Sequence, residues 1–123
     1  MSQEMRLRFP KAARLALASE FQRMRREGVS HHGKFMVLSV LASAGEGPAR
    51  VGLITSRRVG GAVQRNRVRR RLREIVRVGR AELLPGTWLV LIARARAATA
   101  EFALLRAEWL ALARRAGILL CEK

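Results

Sequence analysis

"SRRVGGAVQRNRVRRRLREIVR", residues 56–77, is the stretch that decides how this chain folds. Nine of its twenty-two residues are arginines and Glu74 is the single acid. Apolar, partly β-branched runs lie on either side: "ARVGLITS" (49–56), and "TWLVLIAR" (87–94) after the turn-forming "LLPG". Within the stretch, a step of about 100° per residue places Val68, Leu72, Ile75 and Val76 on one side of a helix. Asn66, Arg67, Arg70, Arg73 and Arg77 fall on the opposite face, and Arg65, Arg69 and Arg71 flank the apolar stripe. A basic amphipathic helix between two strands predicts an α+β domain.

Working outward, "KFMVLSVLA" (34–42) is a further strand, and the turn chemistry of "SAGEGP" predicts that it pairs with 49–56 as an antiparallel hairpin. Ser19-Glu20-Phe21-Gln22 has the S-x-x-Q form of a capping box and Gly28 sits at the C′ position, so a helix is expected over about 19–27, with Phe21 and Met24 on one face. The preceding "RLRFPKAARLALA" (6–18) either extends this helix backwards or runs as an extended arm, since Pro10 interrupts a helix only at its own position. A last helix, from Thr99 as N-cap to Gly117, is expected to bury Phe102, Leu105, Trp109 and Leu112. The predicted order is α-β-β-α-β-α in one domain spanning 1–123, with 118–123 as a tail.

Lys and Arg number 25 against nine acids, all glutamates, and the net charge of +16 implies a polyanionic partner. Acidic membranes attract flexible polybasic tails or helices with exposed bulky apolar residues. Here the charge sits mid-chain between strands, which favours nucleic acid over a membrane surface. A helix-turn-helix protein would place its recognition helix after another helix, and this one follows a strand, so duplex DNA is not expected. The lone Cys121 forms no internal disulfide, and no apolar run approaches a membrane span, so the chain reads as soluble and cytoplasmic. Residues 1–28 are basic enough for an organelle presequence, but Glu4, Glu20, Glu27 and Pro10 fit that poorly, and the start is read as part of the mature domain.

A merely solvated helix face would carry mixed signs, with glutamates four residues before basic groups. Arg65/Arg69, Arg69/Arg73 and Arg73/Arg77 are instead like-charge pairs, a repulsion that a bound anion relieves. Arginine suits bidentate grip on phosphate and stacking on bases. The chain has only three lysines in all, so part of that choice is compositional. Asn66 is the exception among the arginines: its amide donates and accepts, which suits a 2′-hydroxyl, a base edge or a metal-bound water. "VGGAV" before the helix would suit close approach of an anion, and serves equally as a plain strand-to-helix turn. Protein-borne catalysis is not expected: His31 and His32 are adjacent on an expected loop, no aspartate exists, and no metal-ligand spacing occurs.

"SRRVGGAVQRNRVRRRLRE", preceded by "LRFPKAARL…SEFQRM…G" and followed by a hydrophobic strand ending "IAR", resembles the protein subunit of bacterial ribonuclease P, from Leu7 to about Gly117. The resemblance implies an α/β sandwich with a central mixed sheet and a left-handed βαβ crossover around the "RNR" helix, a hand that is rare in general. It implies an endoribonuclease complex in which an RNA subunit, using magnesium, hydrolyses a phosphodiester of precursor tRNA to form the mature 5′ end. The protein's share would be binding and positioning. By the same resemblance Arg65, Asn66, Arg67 and Arg70 would contact the catalytic RNA, Arg58, Arg69 and Arg73 the RNA surface or the precursor's 5′ leader, and Phe21 would line the leader cleft, although the sequence alone suits a core phenylalanine there equally well. Arg25 and Leu38 stand where some relatives carry a second aromatic and a tyrosine, so stacking would be thinner here and Arg25 would substitute charge in part. A ribosomal or other structured-RNA-binding protein shares the size, charge and class, but would not be expected to carry "VGxAVxRNR" between two strands.

Overall fold

The computed structural model describes residues 14–15 and 17–120. Seven principal elements follow in order: α1 (Ala18–Glu27), β1 (Val29–His32), β2 (Met36–Leu41), β3 (Arg50–Ile54), α2 (Ala62–Gly79), β4 (Trp88–Ala93) and α3 (Phe102–Ala116). The four strands form one mixed sheet in the order β1-β2-β4-β3. β1 and β2 run antiparallel, as do β2 and β4, while β3 lies parallel to β4. A parallel neighbour cannot be reached through a tight turn, and α2 is the crossover that returns the chain from β3 to β4.

Alternation along each strand divides the side chains between two faces. Met36, Leu38 and Val40 of β2, Leu89, Leu91 and Ala93 of β4, and Val51 of β3 join the apolar stripes of α2 and α3 in the main core. Val68, Leu72, Ile75 and Val76 are buried, and their neighbours from α3 are Leu105, Trp109, Leu112 and Ala113. Burial of each large apolar side chain there contributes about 1.5–3 kcal/mol. Among the described residues, the opposite face is covered by α1 and the segment before it, through a second, smaller cluster of Leu15, Met24 and Val90 with Phe21, Leu41, Trp88 and Ile92 at its margin. Among the described residues, two helices seal one side of the sheet and the ten-residue α1 lies on the other.

Several sequence expectations change. The hairpin is not formed: β4 inserts between β2 and β3, because its uninterrupted apolar run suits a central strand buried on both faces. His31 and His32, expected on a loop, lie on the edge strand β1, "VSHH" (29–32), so the order is α-β-β-β-α-β-α. Its register, from Val29↔Val40 to His32↔Val37, is imposed by β2; the four residues carry little apolar signal of their own. Helix α1 begins at Ala18, and Glu20 rather than Ser19 closes its start, the Leu17 N–H donating to Glu20 Oε1 at 3.0 Å. Gly28 ends the helix at φ −72°, so its role is space: a Cβ there would lie 2.6 Å from the Met24 carbonyl oxygen and 2.7 Å from Ser39 Oγ.

At the other end, α3 starts at Phe102 after Glu101 instead of Thr99, and Phe102 is exposed rather than buried. Gly117 does stop the helix, in the left-handed conformation at φ 70°. The expected tail is partly core, since Ile118 is buried and Leu119 bridges Leu83; residues 121–123, with Cys121, lie outside the described residues. Of the proposed arm, Arg14 pairs in parallel with Val51 on the free edge of β3, and residues 1–13 and 16 also lie outside the described residues.

Candidate nucleic-acid interface

Helix α2 presents the arginines much as its periodicity requires. Asn66, Arg67, Arg70 and Arg73 are exposed, while Arg65, Arg69 and Arg71 are half-buried along the margins of the apolar stripe. The margins do different work. Arg71 Nη1 donates to the Ala100 carbonyl at 2.9 Å and so fastens α2 to the segment entering α3. Arg69 Nη2 donates to Thr55 Oγ1 at 2.8 Å, and its Nη1 reaches Asn66 Oδ1 at 3.4 Å, which aligns the asparagine with the end of β3. Arg65 is tucked against the protein with its Nε buried and without a hydrogen-bond partner.

Arg77 departs from the pattern: it is half-buried, and its Nε donates to Glu74 Oε1 at 3.0 Å. That hydrogen bond, opposed by partial burial and assisted by the guanidinium charge, holds the Glu74 carboxyl below its ordinary value and raises Arg77 further. The last arginine of the helix is thus neutralised locally, and the strong positive field lies on Arg67, Arg70 and Arg73.

The glycines before α2 have a defined task. Gln64 turns its side chain back so that Oε1 accepts the Gly61 N–H at 2.9 Å. A Cβ on Gly60 would collide with that same oxygen, and Gly60 has φ +142°, a backbone conformation side chains avoid. The amide at the helix start is therefore occupied within the protein, and "VGGAV" acts first as a strand-to-helix turn.

A cleft lies on the other side of the sheet, beside α1. One part, about 260 Å³, is bounded by Phe21, Met24 and Arg25 of α1, with Ser39, Val90 and Ile92 on its floor. Phe21 is half-buried, standing over Gly52 so closely that a Cβ there would fall 2.8 Å from its Cε1. Phe21 is therefore a wall of the cleft as well as a margin of the small apolar cluster. A second and wider part, about 870 Å³, shares Ile92 with the first and is lined by Arg58, Arg94, Arg96, Lys34 and His32 together with Val37, Ala93 and Ala95. No acid among the described residues lines this wider part.

Arg94, Arg96 and Lys34 were not singled out from sequence, although the "IARAR" run that ends β4 carries a readable signal: apolar strand, then cations at alternate positions. Leu38, aligned above with a tyrosine of some relatives, points into the main core instead; Val37 and Ser39 are the β2 residues on the cleft side. Arg25 lies on the cleft rim, and Arg58 lines the wide end.

His31 and His32 lie on a strand, so their side chains alternate and only His32 lines the cleft. Among the described residues no three His, Cys, Asp or Glu side chains come together to hold a metal. Three carboxylates form ion pairs, Glu20 with Arg50, Glu27 with Arg23 and Glu74 with Arg77. Glu108 of α3 accepts the backbone N–H groups of Lys34, Phe35 and Met36 at 2.7, 2.8 and 3.0 Å. No helix among the described residues is long and apolar enough to cross a membrane.

Comparison with known proteins agrees with the architecture. The family model described as Ribonuclease P matches residues 9–117. The "Ribonuclease P protein component" of Roseiflexus sp. (strain RS-1) is 39% identical over 110 residues, covering 89% of each chain. The protein of the same description from Chloroflexus aurantiacus (strain ATCC 29366 / DSM 635 / J-10-fl) is 41% identical over 110 residues, covering 89% of this chain and 81% of its own. Among solved structures, the RNase P protein of Thermotoga maritima superposes with a TM-score of 0.74 at 28% identity, over 83% of this chain and 96% of that one. The Staphylococcus aureus RNase P protein gives 0.81 at 24% identity, over 89% and 99%, a likeness of fold.

Proposed function

We propose, for a chain that belongs to the ribonuclease P protein family, that it acts as the protein component of a ribonucleoprotein that removes the 5′ leader from precursor tRNA. The family places the chain in an endoribonuclease complex with a role in tRNA processing. The finer reading is that α2 grips the catalytic RNA, the α1 cleft takes the leader, and hydrolysis is carried out by the RNA subunit. One observation carries it: beside α1 the sheet face passes from an aromatic and apolar end at Phe21 to an end where Arg58, Arg94, Arg96 and Lys34 gather. A single-stranded nucleic acid needs that pairing of stacking surface with electropositive track.

In this reading Asn66, Arg67 and Arg70 meet the catalytic RNA directly, with Arg73 extending the electrostatic surface. Arg65 and Arg69 contribute from the margin, and Arg69 also sets the orientation of Asn66 through its contacts with Thr55 and Asn66. Arg58 and Arg25 draw the leader's phosphates to opposite ends of the cleft while Phe21 stacks on a base. Magnesium, which the reaction would use, is held by RNA phosphates, and the protein's part is to lower the repulsion between two polyanions so that less of it is needed.

Reconstitution with a cognate catalytic RNA tests the reading. The complex is expected to release a 5′ leader at a magnesium concentration where RNA alone is slow, while the protein freed of RNA cleaves nothing. Nuclease activity surviving rigorous RNA removal would overturn the assignment of chemistry. Asn66→Ala, which leaves the net charge at +16, is expected to weaken assembly because an amide is lost rather than a charge; wild-type affinity would reduce α2 to an electrostatic patch.

A further inference from the structure

The seat of α1 on the sheet sets the width of the cleft, and that seat is thin. Met24 is its one fully buried apolar residue; Phe21 is half-buried and Leu17, just before the helix, is exposed. Against this small apolar contact stands a polar anchor that nothing in the motif pattern marks. Glu20 is buried, at 8% exposure. Its carboxylate accepts Arg50 Nη1 and, at 3.4 Å, Arg50 Nη2, and also the Leu17 N–H. Arg50 opens β3, and its Nη2 further donates to the Arg14 carbonyl at 2.8 Å, holding the chain that leads into α1.

The anchor continues through an aromatic ring. The Arg50 guanidinium lies 5.5 Å from the centre of the Trp88 ring and that of Arg23, from α1, lies 5.2 Å from it. Arg23 Nη1 in turn donates to the Ala44 carbonyl at 2.9 Å. Two residues of α1, Glu20 and Arg23, are thereby tied to the starts of β3 and β4, at the end of the sheet away from the cationic part of the cleft. Phe21 follows Glu20 directly and Arg25 lies just over one turn on, so the tilt that this anchor imposes reaches both cleft residues through a rigid helix.

We propose that the Glu20–Arg50 pair is a positioning device for single-stranded RNA in the cleft: it holds α1 at the angle that puts Phe21 over Gly52, without itself touching the RNA. The inference rests on the leader-cleft reading above. A pair with one partner buried and the other three-quarters covered, supported by a cation–aromatic contact, outweighs an ordinary surface pair. Without it the helix keeps its apolar seat but samples wider angles, and the bound geometry must be selected from that broader set.

The test uses Glu20→Gln, which keeps an oxygen for the Leu17 N–H and removes the charge. The full-length protein is assembled with catalytic RNA, and affinity is measured for precursor tRNA with and without its leader, at a temperature where circular dichroism shows full folding. Glu20→Gln is expected to lower the leader-dependent advantage about three- to tenfold while affinity for catalytic RNA stays at the wild-type value. Amide exchange is expected to rise in α1 and remain unchanged in α2. Arg50→Lys, retaining charge but losing the fork, serves as a second variant where Glu20→Gln fails to fold, and is expected to lose less. A structural role alone would shift melting without altering the leader ratio; an unchanged ratio in Glu20→Gln beside a reduced one in Phe21→Ala overturns the positioning role and leaves the cleft intact. An unchanged ratio in both overturns the cleft reading on which it rests.

Discussion

Arg70 and Arg71 are adjacent, carry the same charge and stand in different surroundings, so replacing each by alanine separates charge from architecture. Either change removes one unit from a net charge of +16. Arg70 is exposed on the outer face of α2, and Arg70→Ala is expected to alter folding stability by no more than about 0.5 kcal/mol. Its loss should flatten the plot of log affinity for catalytic RNA against log salt by about 0.7–0.9, the release expected when one phosphate contact goes. Arg71 is half-buried, and its hydrogen bond to the Ala100 carbonyl joins α2 to the entry of α3. Breaking a bond from a charged donor and leaving a sheltered carbonyl without its partner costs about 1.5–3 kcal/mol, so Arg71→Ala should melt earlier. Its salt slope should change by less than about half as much as that of Arg70→Ala, because its charge faces protein rather than RNA. Affinity titrations across a salt series, paired with urea unfolding, measure both quantities on the same samples. Equal slope changes for the two variants would refute the division of the helix into a binding face and a structural margin.

Gly52→Ala should push the Phe21 ring aside, since its Cβ would sit 2.8 Å from Phe21 Cε1; it is expected to cost about 1–3 kcal/mol by overpacking and to reduce leader-dependent binding, read by precursor affinity with and without a leader. Glu108→Ala removes the acceptor of three backbone N–H groups at residues 34–36 and should destabilise the β1–β2 turn by about 1.5–3 kcal/mol, visible in urea unfolding and in faster amide exchange at those residues. The hydrogen bond from Arg77 depresses the Glu74 carboxyl in the folded state, so its contribution is present above the unfolded carboxylate value and lost as pH falls through the lower folded one. Glu74→Gln should therefore unfold with a shallower dependence on pH in the acid range than wild type, and indistinguishable acid titrations would show that the exposed pair contributes nothing measurable.

The amphipathic reading of residues 56–77 was sound because a helical stripe is a local property: Val68, Leu72, Ile75 and Val76 recur at a spacing that leaves them no other common face, and all four are buried. The same local logic found the cores of β2, β3 and β4 and the stop at Gly117, and it set Asn66, Arg67, Arg70 and Arg73 outward. What the chain's order could not express was which strand neighbours which. The turn-rich "SAGEGP" suggested a hairpin, yet burial of β4 on both faces between β2 and β3 outweighed sequence proximity, since that position removes more apolar surface from water. β1 exists only because β2 offers it an edge, and Leu38 faces the core because a one-residue shift of register exchanges the two sides of a strand. The cleft is likewise a product of assembly: Phe21, Ser39, Ile92, Arg58 and Arg94 come from elements scattered over most of the chain, and only the sheet brings them together. Charge and periodicity are written residue by residue, but the cleft beside α1, and the Glu20–Arg50 pair that anchors that helix, arise only once distant segments compete for the same burial.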